Sequence, residues 1–157
     1  MEYEWVKSIH LLSATVLFGT GLGSAYYKWS ADRSGNLQNI NHTNRTVVIA
    51  DWVFTSPTII LQPISGVWLT YTMGYSLTDS WIVASLIFYA IAGSCWLPVV
   101  WLQIKMRNLS QQAIESHSEL SATYFRYRRL WFWLGLPAFV SMVAIYFLMI
   151  SKPVISV

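Results

Sequence analysis

Charge and cysteine are both scarce in this chain. Only 11% of its 157 residues are Asp, Glu, Lys or Arg, less than half the share in an ordinary soluble domain, so the usual water-facing surface cannot be built from it. A single cysteine, Cys95, excludes an internal disulfide and offers no paired-cysteine metal spacing. There is no P-loop, no GxGxxG after a strand, no HExxH and no GxSxG, which sets aside the soluble enzyme classes those motifs serve. A basic n-region is missing as well: the chain begins Met1-Glu2-Tyr3-Glu4-Trp5, so no cleaved leader is expected. Lipidation and twin-arginine signals are also absent, which leaves insertion to the hydrophobic segments.

What the chain does have is apolar length. Fifty-five per cent of it is hydrophobic and 16% aromatic, with nine Trp, and indole rings gather where hydrocarbon meets lipid headgroups. Apolar segments over about 5–27, 47–72, 81–104 and 130–150 each reach across a hydrocarbon core of roughly 30 Å at a helical rise of about 1.5 Å per residue. They predict an all-α integral membrane bundle of four antiparallel helices, up-down-up-down, forming one transmembrane domain over 1–157. Of the ten Lys and Arg, eight lie in the first and third connections: Lys28, Arg33, Arg45, Lys105, Arg107, Arg126, Arg128 and Arg129. The positive-inside rule then places those connections in the cytoplasm and both termini outside. Topology thus accounts for the net charge of +3, and no nucleic-acid partner is expected. Sequons at Asn41, Asn44 and Asn108 fall on the cytoplasmic side and carry no weight as glycan sites.

Pro57 and Pro63 in the second span, Pro98 in the third and Pro137 in the fourth each remove one intrahelical bond and free the carbonyl four residues earlier, so kinks are expected, above all in the second span. Gly19 and Gly23 form a GxxxG pair, read as a packing face or as room for a flat cofactor. Asp51, Thr55, Thr58, Gln62 and Ser65 recur at spacings of four, three, four and three, which is one helical face. His10, Ser13, Thr20 and Ser24 make a matching stripe on the first span. Lipid cannot satisfy such groups, so the stripes are expected to meet inside the bundle, with His10 at the depth of Gln62 and Ser65 and with Ser24 approaching Asp51.

Three readings of His10 stand side by side: axial ligand to haem, proton relay, or a hydrogen-bonded lock between the first two helices. A sixth haem ligand would be Met73 or Met149, or a second copy of His10 in a homodimer. For Asp51, an ion pair with Lys28 or with Arg126, Arg128 or Arg129 is the leading expectation, ahead of a proton or cation step. Gln103 is expected to cap the same region, and Cys95 to serve as a small packing residue.

Lys7-x-x-His10 with the Gly19 to Gly23 run, Asp51-Trp52 with Gln62-Pro63-x-x-Gly66, and the stretch from Cys95 to Gln103 together resemble a bacterial family of predicted integral membrane proteins, domain of unknown function 2269, over nearly the whole length. That resemblance implies the membrane fold. The opening helix alone is also similar to the start of HemJ-type protoporphyrinogen oxidases and copper-resistance D-type membrane proteins, which implies haem or metal binding near His10. The expected function is therefore a multi-pass protein of the bacterial inner (cytoplasmic) membrane carrying b-type haem on His10, with Gly19, Gly23 and Gln62 around the ring. A non-enzymatic accessory or scaffold subunit and a small proton-coupled carrier are the alternatives. Besides the lipid bilayer, a second copy of the chain or a membrane partner subunit is expected. No enzymatic reaction follows from these residues.

Overall fold

The computed structural model describes residues 1–153. Among them run four long helices: α1 (Glu2–Ser34), α2 (Leu37–Thr72), α3 (Ser80–Glu115) and α4 (Ala122–Ser151). All four are long and apolar enough to cross a membrane. Each extends past its apolar segment into what the sequence suggested were connections. The polar stretch from Lys28 to Thr46, which connects the first two apolar segments, is almost wholly helical: α1 ends at Gly35, whose φ of 66° suits a residue without Cβ, and Asn36 starts α2 by accepting from the Asn39 N–H at 3.1 Å. The first connection is thus only two residues long. Similarly, Ser121 caps α4 through the Tyr124 N–H.

Polarity is inverted relative to a soluble bundle. Leu12, Ile60, Ile64, Leu97, Val140, Phe147 and Ile150 are exposed, while Ser13, Thr58, Ser65, Ser85, Gln103 and Ser141 are buried. An apolar exterior of that extent is favourable only against hydrocarbon, and the helices satisfy their own backbone there. The protein is a multi-pass integral membrane protein.

Contacts between named residues fix the packing. His10 meets Ser65 and Lys28 meets Asn44, so α1 and α2 run in opposite directions. Leu148 packs on Trp81 and Ile82, and Tyr124 on Leu102 and Met106, so α3 and α4 do likewise. Between α1 and α4 the contacts along the middle are made by long side chains, with Phe18 5.4 Å from Phe139 and 5.5 Å from Tyr146 between ring centroids.

The prolines of α2 act differently from one another. Just before Pro57 the helix widens into a π turn, Asp51–Thr55, which accommodates a ring that would otherwise clash with the preceding turn. Its loosened carbonyls find side-chain partners: Ser56 Oγ donates to Asp51 O at 3.0 Å, and Thr58 Oγ1 lies 2.7 Å from Phe54 O and 2.9 Å from Thr55 O. Pro63 frees the carbonyl of Ile59, and the Tyr89 hydroxyl of α3 donates to it.

Candidate functional site

Two cavities lie along the bundle axis. The first, of about 460 Å³, is lined by residues of all four helices, among them Lys7, His10, Gln62, Met73, Met149 and, just past α4, Lys152. Within its wall the stripes of α1 and α2 meet. Gln62 Nε2 donates to the His10 carbonyl at 2.9 Å and to Ser13 Oγ at 2.6 Å, and Ser13 donates back to the His10 carbonyl. Ser65 Oγ lies 2.8 Å from His10 Nδ1 and 2.6 Å from Leu61 O. The single Ser65 proton goes either to Leu61 O, in which case Ser65 accepts from His10 Nδ1–H, or to His10 Nδ1 itself. In the first arrangement the imidazole is the Nδ1–H tautomer and Nε2 carries a lone pair; in either, Nε2 makes no protein hydrogen bond among the described residues. The first arrangement is what a metal-ligating histidine requires of its second nitrogen. Gly66 packs against the same ring: a Cβ built there would lie 3.4 Å from His10 Cε1.

The second cavity, of about 310 Å³, contains Asp51 and Thr55 of the π turn together with Ser24, Trp96, Gln103 and Trp131. Thr55 Oγ1 donates to Asp51 Oδ1 at 2.9 Å. The Gln103 amide lies beside the same carboxylate and acts on it as a hydrogen-bond donor. Among the described residues, the buried side-chain polar atoms that lack a partner are Asp51 Oδ2, Gln103 Oε1, Trp96 Nε1 and Trp131 Nε1. Every one belongs to a residue of this cavity. Native interiors leave few such atoms, and each costs about 1–3 kcal/mol. The two cavities share only Leu17, Tyr89 and Met142 in their walls.

Some expected partners are not brought together. Gly19 and Gly23 line neither cavity. A Cβ at Gly19 would meet nothing within 4 Å and one at Gly23 only Tyr27 of the same helix, so among the described residues the GxxxG pair packs against no other helix. Thr58 bonds its own helix backbone rather than a ligand space. Asp51 has no ion pair: among the described residues the only one is Lys28 with Asp32, at 3.2 Å.

That pair belongs to a network the sequence reading missed. Lys28, 1% exposed, spends its three protons on Asp32 Oδ2, Asn44 Oδ1 at 2.8 Å and Tyr124 Oη at 3.1 Å. The Tyr124 hydroxyl donates to Asp32 Oδ1 at 2.6 Å and accepts from Asn44. Asn44 continues to Ser110, which donates to Asn41, which donates to Gln111. All four helices are thereby tied at one end. Burial, and then the Asp32 carboxylate, push the Tyr124 phenol above its ordinary range, because ionising it would place a second negative charge beside the first. The residues that could have signalled this cluster, Asn41 and Asn44, were legible only as sequons.

Among the described residues, no group of three or more His, Cys, Asp or Glu gathers as a metal site, so a metal on His10 would have to bring most of its own ligands, as a porphyrin does. Neither the curated proteins nor the solved structures contain a match to this chain. The sequence does match a family model over residues 4–153, that of the predicted integral membrane protein (DUF2269), and with nearly its whole length covered the chain belongs to that family.

Proposed function

We propose that this protein holds b-type haem in the His10 cavity, with His10 Nε2 as axial ligand, in the bacterial cytoplasmic membrane with both termini on the outer side. The observation that carries the reading is the Ser65 contact at His10 Nδ1, which holds the ring and leaves Nε2 without a protein hydrogen bond among the described residues, in a residue on the wall of a cavity of ligand size. The donor set fits the group. His10 supplies the nitrogen and Met73 or Met149 a thioether on the same wall, while Lys7 and Lys152 supply cations that match the two propionates. Gln62 holds the backbone of His10 and Gly66 packs against its ring. Bound haem would supply one-electron chemistry; the chain would fix ligand orientation and exclude water with its apolar walls.

The test is an absorption spectrum of detergent-purified protein made with full haem supply. A Soret band is expected, lost in His10→Ala and kept with altered intensity in Ser65→Ala. No band, or one indifferent to His10→Ala, would overturn the assignment and leave the His10 cluster as a helix lock in an accessory subunit. A reporter enzyme active only outside the cytoplasm, fused after Pro153, checks the orientation: activity is expected there and none when it is fused after Ser118.

A further inference from the structure

Lys28 is the only cation at its end of the bundle with a carboxylate partner among the described residues. Lys105 of α3, which is exposed, carries its ammonium against a ring instead, 5.5 Å from the centroid of Trp101. From α4 the Tyr127 ring meets the same indole at 5.7 Å between centroids. Two helices thus bring three donors to one place: an ammonium, an indole N–H and a phenol hydroxyl. None of the three donates a hydrogen bond to the protein among the described residues. The cluster has a fixed base, since Tyr127 packs on the core of Ile40, Leu102, Met106 and Tyr124.

Depth decides what meets these groups. The third apolar segment ends at residue 104, between Trp101 and Lys105, so the indole and the ammonium straddle the level where hydrocarbon gives way to lipid headgroups. One turn toward the hydrocarbon, Leu97 shares the face of Trp101 and is 66% exposed, and on α4 Leu130 is 53% exposed. A lipid lying here places acyl chain on the leucines and phosphate at the level of the donors. A zwitterionic headgroup brings its own cation beside that phosphate, which the Lys105 ammonium repels; an anionic headgroup brings none.

From this we infer that Trp101, Lys105 and Tyr127 form a site for one anionic phospholipid, whose phosphate accepts from the three donors while an acyl chain runs along Leu97. The site shares no residue with the His10 cavity and stands whether or not haem is bound there.

The experiment is native mass spectrometry of the delipidated full-length protein in detergent, titrated with phosphatidylglycerol or with phosphatidylcholine of the same acyl chains. Phosphatidylglycerol is expected to bind more tightly. One cation near the surface contributes about fivefold to the binding of an anionic lipid, so Lys105→Gln should remove about that much of the preference, and Lys105→Arg should keep it. Arg45→Gln, which takes away an exposed cation of α2 at the same end, should leave the preference unchanged. Tyr127→Phe should weaken both lipids, since both carry the phosphate. Equal affinity for the two lipids in the unaltered protein would overturn the inference. So would an equal loss of preference in Lys105→Gln and Arg45→Gln, which is the mark of diffuse charge rather than a site. Glycerol 3-phosphate added as competitor should leave the lipid bound; displacement would make this a site for soluble phosphates and sink the lipid assignment. If a variant fails to fold, the comparison of the two lipids and the competitor on the unaltered protein decides alone.

Discussion

Replacing Lys28 with Met removes the one cation buried at the network end of the bundle, and the cost can be worked from its contacts. The ammonium makes three hydrogen bonds, and its ion pair with Asp32 is 2% and 6% exposed at the two side chains. If those bonds behaved as average interhelical hydrogen bonds in a membrane protein, worth about 0.6 kcal/mol each, the loss would be about 2 kcal/mol. Asp32 would, however, remain as a buried carboxylate with only the Tyr124 hydroxyl as partner, and breaking a buried pair from one side costs about 3–5 kcal/mol. The second figure is the expected one, because the stranded charge outweighs the lost bonds. Equilibrium unfolding in mixed micelles with rising SDS, followed by circular dichroism, measures it. Asp32→Asn in the same background should recover much of the loss, since an amide oxygen still accepts from Tyr124 while no charge is stranded; the cycle yields the coupling directly. A loss below about 1 kcal/mol in Lys28→Met would refute the claim that this network clamps the four helices.

The other predictions concern single groups. Tyr124→Phe should cost about 1.5–3 kcal/mol at neutral pH, since the hydroxyl bonds a carboxylate and accepts from a cation. Because folding raises the phenol above its ordinary value of 10.0, its contribution is fully present below that pH and is lost as pH climbs above it. Unfolding curves at rising alkaline pH should thus converge for Tyr124→Phe and the unaltered protein, and parallel curves would contradict the raised phenol. Gly66→Ala places a methyl 3.4 Å from His10 Cε1, in direct van der Waals contact with the ring. A small stability loss is expected, together with a moved Soret band, and an unmoved band would separate Gly66 from the His10 site. Asp51→Asn keeps an oxygen for Thr55 and removes the charge of a carboxylate whose Oδ2 has no close partner. It should stabilise the protein by about 1 kcal/mol in the same SDS titration. Destabilisation would mean that the carboxylate is already satisfied.

The sequence disclosed the parts of the molecule that depend on period and length. Four apolar runs become four spanning helices, and the spacing of Gln62 and Ser65 against His10 and Ser13 becomes a hydrogen-bonded interface. Pro63 predicts a freed carbonyl at Ile59, although nothing in the sequence points to Tyr89 as the group that takes it. Lys28 was harder to read, because charge counting registers only the side of the membrane on which a lysine lies and not whether its partners sit 16 and 96 residues away. The expected ion pair of Asp51 fails for a related reason. Burial called for a cationic partner, but Asp51 bonds Thr55 of its own π turn, and Lys28 is saturated by Asp32, Asn44 and Tyr124. GxxxG is a local pattern, and among the described residues it meets no other helix.

Cavities in the middle of a four-helix bundle need a physical cause, since close packing is otherwise favoured. At one end the Lys28 network and the cluster of Ile40, Leu102, Met106 and Tyr124 hold the helices together. At the other, Leu148 packs on Trp81 and Ile82 while Lys152 bonds the Tyr75 hydroxyl and sits 4.8 Å from that ring's centroid. Between these clamps the π turn displaces part of α2, and Gly93, Gly135 and Ala138 provide little volume on α3 and α4. Phe18 is the main bulk spanning the gap from α1, against Phe139 and Tyr146. The bundle is thus fastened where its side chains are large or charged and open where they are small. That division places His10 and Asp51 on the walls of two separate spaces rather than in a common core.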